Sequence, residues 1–135
     1  MCESGFCVIA GCPAICTSCN EAAHTCNVDC TSAATCGTVD CPSGWSCDIT
    51  CTGTGACGNI TCETGSTCDV ACTDPSACGS VTCSAACKCD LTCASGECGS
   101  YSCPTFNNGP KGHCTTDGTA GMVCRSTQNA ACVKC

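Results

Sequence analysis

The stretch that decides the fold begins at Cys26. It reads CNVDCTSAATCGTVDCPSGWS (26–46), CDITCTGTGACGNITCETGST (47–67), CDVACTDPSACGSVTCSAACK (68–88) and CDLTCASGECGSYSCPTFNNG (89–109). Three units of 21 residues are followed by a fourth that lacks one residue before Cys98. Each unit holds two similar halves, C-(D/N)-(V/I/L)-x-C and C-G-x-(V/I/Y)-x-C. One cysteine gap alternates between four and five, from Cys26–Cys30 and Cys36–Cys41 to Cys98–Cys103. The other gap is six from Cys30–Cys36 to Cys83–Cys89 and five at Cys93–Cys98. Spacing kept through so many copies points to stacked coils.

Within Cys47–Cys51 apolar and polar residues alternate, with Cys47, Ile49 and Cys51 on one side and Asp48 and Thr50 on the other. That is the period of a strand with one buried face. The five-gap halves carry an extra glycine, at Gly37, Gly58, Gly79 and Gly99. It is expected to make a bulge with a positive φ. Gly, Thr, Ser, Asn and Asp dominate the repeats, which argues against helix. The fold expected is therefore all-β and disulfide-rich: a small β-solenoid of about 10–11 residues per coil, a 21-residue double-coil repeat, with irregular terminal caps. Eight such coils at a spacing of about 4.8 Å would span roughly 34 Å.

Composition agrees with a sulfur-held fold. The chain has 135 residues, of which 26 are cysteine. Above about 8–10% cysteine, a short chain reads as a disulfide scaffold. Leu, Ile, Val and Phe make up only about a tenth of the chain, too little for an ordinary core at this net charge. No apolar run is long enough to insert into a membrane. The even cysteine count permits complete pairing, and stable disulfides point to a secreted or extracellular protein. Met1–Cys2–Glu3 carries neither a basic nor an apolar leader segment, so a mature form is expected. Residues 1–25 and 104–135 break the repeat and are read as N- and C-terminal caps around a solenoid of residues 26–103. Caps argue for a monomer. Asn108–Gly109 is a turn signal.

The negative charge is concentrated in the repeats. Between Cys26 and Cys103 lie Asp29, Asp40, Asp48, Glu63, Asp69, Asp74, Asp90 and Glu97, against Lys88 alone, which carries the whole net charge of −7. Nucleic acid is excluded as a partner on sign. In stacked short coils the outward column would run Asn27, Thr38, Asp48, Asn59, Asp69, Ser80, Asp90, Ser100. Acids would then alternate with neutral residues and lie roughly 9.6 Å apart, near a Debye length. A calcium ladder would want denser carboxylates.

An extended C-x3-C segment spans about 13 Å, too far for a bridge, whereas the six-residue gap crosses a Thr/Gly/Ser turn that can fold back. The favoured pairs are Cys30–Cys36, Cys41–Cys47, Cys51–Cys57, Cys62–Cys68, Cys72–Cys78 and Cys83–Cys89. The rival is pairing between stacked coils, such as Cys26–Cys36, whose Cα separation of about 4.8 Å also permits a bridge. Metal ligation would need thiolates in clusters. Cys16–Cys19 and Cys132–Cys135 are C-x2-C pairs at opposite ends, and Cys87–Cys89 is C-x-C. No metal site and no cofactor are assigned. His24 and His113 stand apart from any nucleophile or carboxylate array, so no catalytic residue is assigned and the chain is read as non-enzymatic. Asn59–Ile60–Thr61 fits a glycosylation acceptor but starts on a strand and is read as chance. Trp45 is expected to cover a turn at the surface.

Thr50–Cys51–Thr52 resembles the T-C-T of beetle antifreeze proteins, and the six-residue cysteine gap is also similar to theirs. The short coil resembles that of midge antifreeze proteins. The 21-residue unit is similar to disulfide-rich β-solenoid tandem repeats of secreted bacterial proteins, myxobacterial ones in particular. The antifreeze resemblance implies in-coil bridges and an ice-binding face, here Thr50, Thr52, Thr61, Thr82 and Thr92. Triplets such as Asp40–Cys41–Pro42 and Thr61–Cys62–Glu63 depart from it. The leading expectation is a non-catalytic extracellular structural or adhesive module with an acidic, Thr-rich face, its partner an extracellular matrix or surface component. Ice binding is the alternative and metal-thiolate sequestration the second alternative.

Overall fold

The computed structural model describes residues 2–3, 6–83, 86, 88–93, 101–102, 113–117 and 121–125, with side chains described over 7–83 and at 86, 89–92 and 102. Gly99, Cys87, the Cys132–Cys135 pair and the Asn108–Gly109 turn lie outside the described residues, as does the His113 side chain. The chain opens with β1 (Cys2–Glu3) and β2 (Phe6–Cys7), an antiparallel pair, followed by β3 (Ser18–Asn20). Two kinds of strand then alternate. The longer ones are β4 (Thr25–Thr31), β6 (Ser46–Thr52), β8 (Thr67–Cys72) and β10 (Lys88–Cys93). The shorter ones are β5 (Val39–Cys41), β7 (Ile60–Cys62), β9 (Val81–Thr82) and β11 (Tyr101–Ser102). The last strands are β12 (His113–Asp117) and β13 (Gly121–Arg125).

The long strands stack in parallel on one another, and so do the short ones. Cys26 pairs with Cys47, Cys47 with Cys68 and Cys68 with Cys89, a step of one whole 21-residue unit. In the second sheet Val39 pairs with Ile60, Ile60 with Val81 and Val81 with Tyr101. The last step there is one residue shorter, so the deletion before Cys98 is absorbed between β9 and β11.

The molecule is a β-solenoid, and its coil is 21 residues long rather than 10–11. The two halves of a unit do not stack; they face each other. Val28, Ile49, Val70 and Leu91 point inward from the long-strand sheet, and Val39, Ile60 and Val81 from the short-strand sheet, all within one buried cluster. A 10-residue coil would offer each inward Val or Ile no opposing wall. Pairing two halves around a common interior buries both apolar edges. About three coils therefore replace eight. The parallel strands β4 to β10 span only about 14 Å, at 4.8 Å per step.

Strand formation follows the local pattern. β4 and β6 alternate exposed and buried residues strictly, with cysteine and Val or Ile always inside. Bridges close each corner of the coil. Cys30–Cys36, Cys51–Cys57 and Cys72–Cys78 span the turn from long to short strand, with Cα separations of 5.5, 5.8 and 5.9 Å. Cys41–Cys47, Cys62–Cys68 and Cys83–Cys89 span the turn back, at 6.0, 6.4 and 6.2 Å. Each closes a short loop and so stabilises by about 2 kcal/mol through unfolded-state entropy.

Both edges of the long-strand sheet end in antiparallel strands. β3 runs against β4, with Cys19 opposite Cys26, and β13 runs against β10 with β12 beyond it. Reversing direction at the rim stops further parallel stacking on that sheet. The β3 end is tied by Cys16–Cys26 and Cys12–Cys19. Cys26 is thus bridged backwards to Cys16, not upward to Cys36.

Trp45 is not a surface cover; it is 1% exposed. It lies in the turn closed by Cys41–Cys47 and meets the His24 ring at 5.3 Å between centroids. The equivalent place one coil on is Ser66, also buried, whose hydroxyl donates to the Glu63 carbonyl at 2.7 Å. Both turns have the same backbone bond, from Trp45 N–H to the Pro42 carbonyl and from Ser66 N–H to the Glu63 carbonyl. A large ring fits only in the first coil, which has no preceding repeat beside it. His24 supplies a face to pack on.

The repeat glycines also act differently from the expectation. Gly37 has φ +62°, but Gly58 and Gly79 do not adopt a positive φ. They are glycines because the coils touch there. Gly58 N–H donates to the Gly37 carbonyl at 2.7 Å and Gly79 N–H to the Gly58 carbonyl at 3.0 Å. A Cβ on Gly58 would lie 2.9 Å from the Gly37 carbonyl oxygen. Gly58→Ala should therefore cost about 1–3 kcal/mol through forced separation of two backbones. Guanidinium unfolding of the oxidised protein measures it, and an unchanged midpoint would contradict this stacking.

Candidate functional site

Two sheets around one core give two outward faces, and the 21-residue period sorts the side chains between them. The long-strand face carries four columns. The first is Thr25, Ser46, Thr67 and Lys88; the second is Asn27, Asp48, Asp69 and Asp90. The third is Asp29, Thr50, Ala71 and Thr92, and the fourth pairs Thr31 with Thr52 and continues to Thr73. The short-strand face is more neutral. Asp40, Thr61, Thr82 and Ser102 form one column there. Asn59 and Ser80 adjoin it, with the Asn59 Oδ1 accepting from both Ser80 N–H (3.2 Å) and Ser80 Oγ (3.0 Å).

The acidic column corrects the expected spacing. Asp48 pairs in register with Asp69, and Asp69 with Asp90. They lie one strand spacing apart, about 4.8 Å between backbones, rather than 9.6 Å. The neutral residues expected between them, Asn59 and Ser80, belong to the other sheet. The period therefore gathers the acids onto one face instead of spreading them along a rod. A shallow depression of about 280 Å³ runs along this column, lined by Thr25, Asn27, Ser46, Asp48, Thr67 and Asp69 together with Cys47 and Cys68.

The five threonines read as an ice-binding face do not share a plane. Thr50, Thr52 and Thr92 lie on the long-strand sheet, Thr61 and Thr82 on the short-strand sheet. The mixed column arose from stacking halves that in fact oppose each other. The structure does assemble a different threonine rank, at the turn edge of the long-strand face. There the Thr73 hydroxyl lies 3.4 Å from that of Thr52 and also bonds the Cys51 carbonyl (3.3 Å) and Asp74 Oδ2 (3.1 Å). Asp74 Oδ2 in turn accepts from Gly53 N–H at 2.8 Å, which ties the turn of one coil to the next. Thr31 and Thr73 carried a sequence signal in their 21-residue spacing, hidden by the assumption of a shorter coil.

The twelve cysteines singled out from spacing are brought together pair by pair at the two corners. Every cysteine with a described side chain is disulfide-bonded. The Cys16–Cys19 C-x2-C pair is divided between two bridges, to Cys26 and Cys12. Two sulfur triplets, Cys51–Cys57–Cys78 and Cys62–Cys83–Cys89, each lie within 4.8 Å. All six sulfurs are already in bridges, so they offer no thiolate to a metal.

Like charges directly opposite on neighbouring strands destabilise by a few tenths of a kcal/mol. Asp48→Asn should therefore raise stability by about 0.5 kcal/mol at low salt, and the gain should shrink in molar salt. Chemical unfolding at two ionic strengths checks this; a salt-independent change would mean that packing, not repulsion, sets it.

No family model matches this chain, and neither do any curated protein or solved structure.

Proposed function

We propose that this chain is a non-catalytic extracellular structural or adhesive module that displays a rigid acidic and threonine-bearing sheet. One observation carries the reading: every described corner of every coil is closed by its own disulfide. Such a coil keeps its shape without help from a large core, and its outward columns stay in register. The interior is filled by cysteine, Val, Ile and Ala side chains, which leaves the polar faces as the part offered to a partner. No described helix is long and apolar enough to cross a membrane. Cross-links of this density persist in oxidising surroundings, which supports an extracellular setting. Oxidised protein should keep its β-type circular dichroism and resist protease, and both should be lost in excess reductant. Retention of the β-type signal after full reduction would refute the reading.

Ice binding is the second reading. The rank Thr31, Thr52 and Thr73 favours it, because in-register strands place hydroxyls about 4.8 Å apart on one rim. Asp48 and Asp69 nearby would charge an adjoining ice plane. Thermal hysteresis decides: activity lost on Thr52→Lys would locate the face, and no activity in the oxidised protein removes this reading.

A further inference from the structure

The two corner columns are not sets of isolated cross-links. The sulfurs of Cys51 and Cys57, which form one bridge, lie within 4.8 Å of Cys78 Sγ, half of the Cys72–Cys78 bridge in the next coil. In the opposite column, both sulfurs of Cys83–Cys89 lie within 4.8 Å of Cys62 Sγ, half of Cys62–Cys68. All these sulfurs are at most 5% exposed. Their backbones are stacked as well: Cys51 pairs with Cys72, and Cys57 N–H donates to the Ala77 carbonyl at 2.8 Å. Stacked residues have a Cα separation of about 4.8 Å, inside the range a disulfide accepts. Each contact therefore has two allowed pairings, one within a coil and one between coils.

We propose that these stacked bridges form an internal thiol–disulfide relay, in which a thiol freed in one coil is passed to the neighbouring coil. The step balances without an oxidant. A small-molecule thiol attacks Cys51 Sγ, bonds to it, and releases Cys57 as thiolate. Cys57 attacks Cys78 Sγ; the Cys57–Cys78 bond forms, Cys72–Cys78 breaks, and Cys72 leaves as thiolate and takes up a proton. In the other column, a thiol that bonds to Cys68 releases Cys62. Cys62 attacks Cys83, forms Cys62–Cys83, and releases Cys89. One thiol enters each exchange and one leaves. Burial slows attack by bulk reductant, while the neighbouring sulfur is held in place, so the internal route has the higher effective concentration. The column converts a broken in-coil link into an inter-coil link instead of leaving the corner open.

Two variants create the thiol without any reductant. In Cys51→Ser, alkylation and peptide mapping at about pH 8, where thiolate forms, should find Cys72 labelled and a Cys57–Cys78 cross-linked peptide. In Cys68→Ser, the label should appear on Cys89, with Cys62–Cys83 linked. A label that stays on Cys57 and on Cys62, with the other bridges native, overturns the proposal. Wild-type protein under limiting glutathione keeps the test open if a variant fails to fold. There Cys57–Cys78 or Cys62–Cys83 should exceed every other non-native pair by at least about tenfold. Equal scrambling among all pairs, or direct reduction without either pair, overturns it as well.

Discussion

The covalent bond between the two ends of a six-residue turn is the constraint on which this structure depends. A coil of 21 residues encloses little more than its own inward side chains. Per coil the interior holds one aliphatic residue from each sheet, such as Ile49 and Ile60, and the four cysteines that flank them. Burying two such side chains contributes about 3–6 kcal/mol, whereas ordering 21 backbones costs about 20 kcal/mol or more. The bridges reduce that deficit by restricting the unfolded chain before it folds. Backbone bonds along two parallel sheets then hold coil to coil, and where they must come closest the chain has Gly58 and Gly79.

This construction separates shape from surface. Inward positions are confined to cysteine, small residues and β-branched residues, but outward ones answer to nothing inside. That freedom lets the second column of the long-strand sheet hold Asn27, Asp48, Asp69 and Asp90 while the short-strand sheet shows Asn59 and Ser80. Repulsion along the acid column is an electrostatic cost that a hydrophobically held sheet of this size would bear poorly. Short cross-linked loops tolerate it. The rim threonines and Asp74 add the lateral hydrogen bonds that keep neighbouring turns aligned.

Much of this was legible before any coordinates. The alternation in Cys47–Cys51 marks a strand, and the constant gap between Cys51 and Cys57 marks a turn short enough to bridge. Illegible was whether successive strands stack or face each other. Both halves of a unit have the same apolar alternation, and a period of two carries no information about which sheet a strand joins. The difference between the halves was present in the gaps of four and five, and in Gly37, Gly58 and Gly79. Its meaning emerged from the contact between those glycines in adjacent coils. Trp45 was misplaced for a similar reason: a turn residue is ordinarily exposed, but the first coil leaves room inside that Ser66 fills in the second.

Residue spacing alone determined the class of fold, the cross-linked turns and the exclusion of an apolar core, because these depend on chain length between cysteines and on local alternation. The tertiary structure decided the coil length, the two-faced arrangement, the unbroken aspartate column and the dispersal of Thr50 and Thr61 to different sheets. Those follow from which distant strands share an interior. That choice is made by side chains meeting across about 10 Å of packed sheet, a distance to which no local pattern in the chain is sensitive.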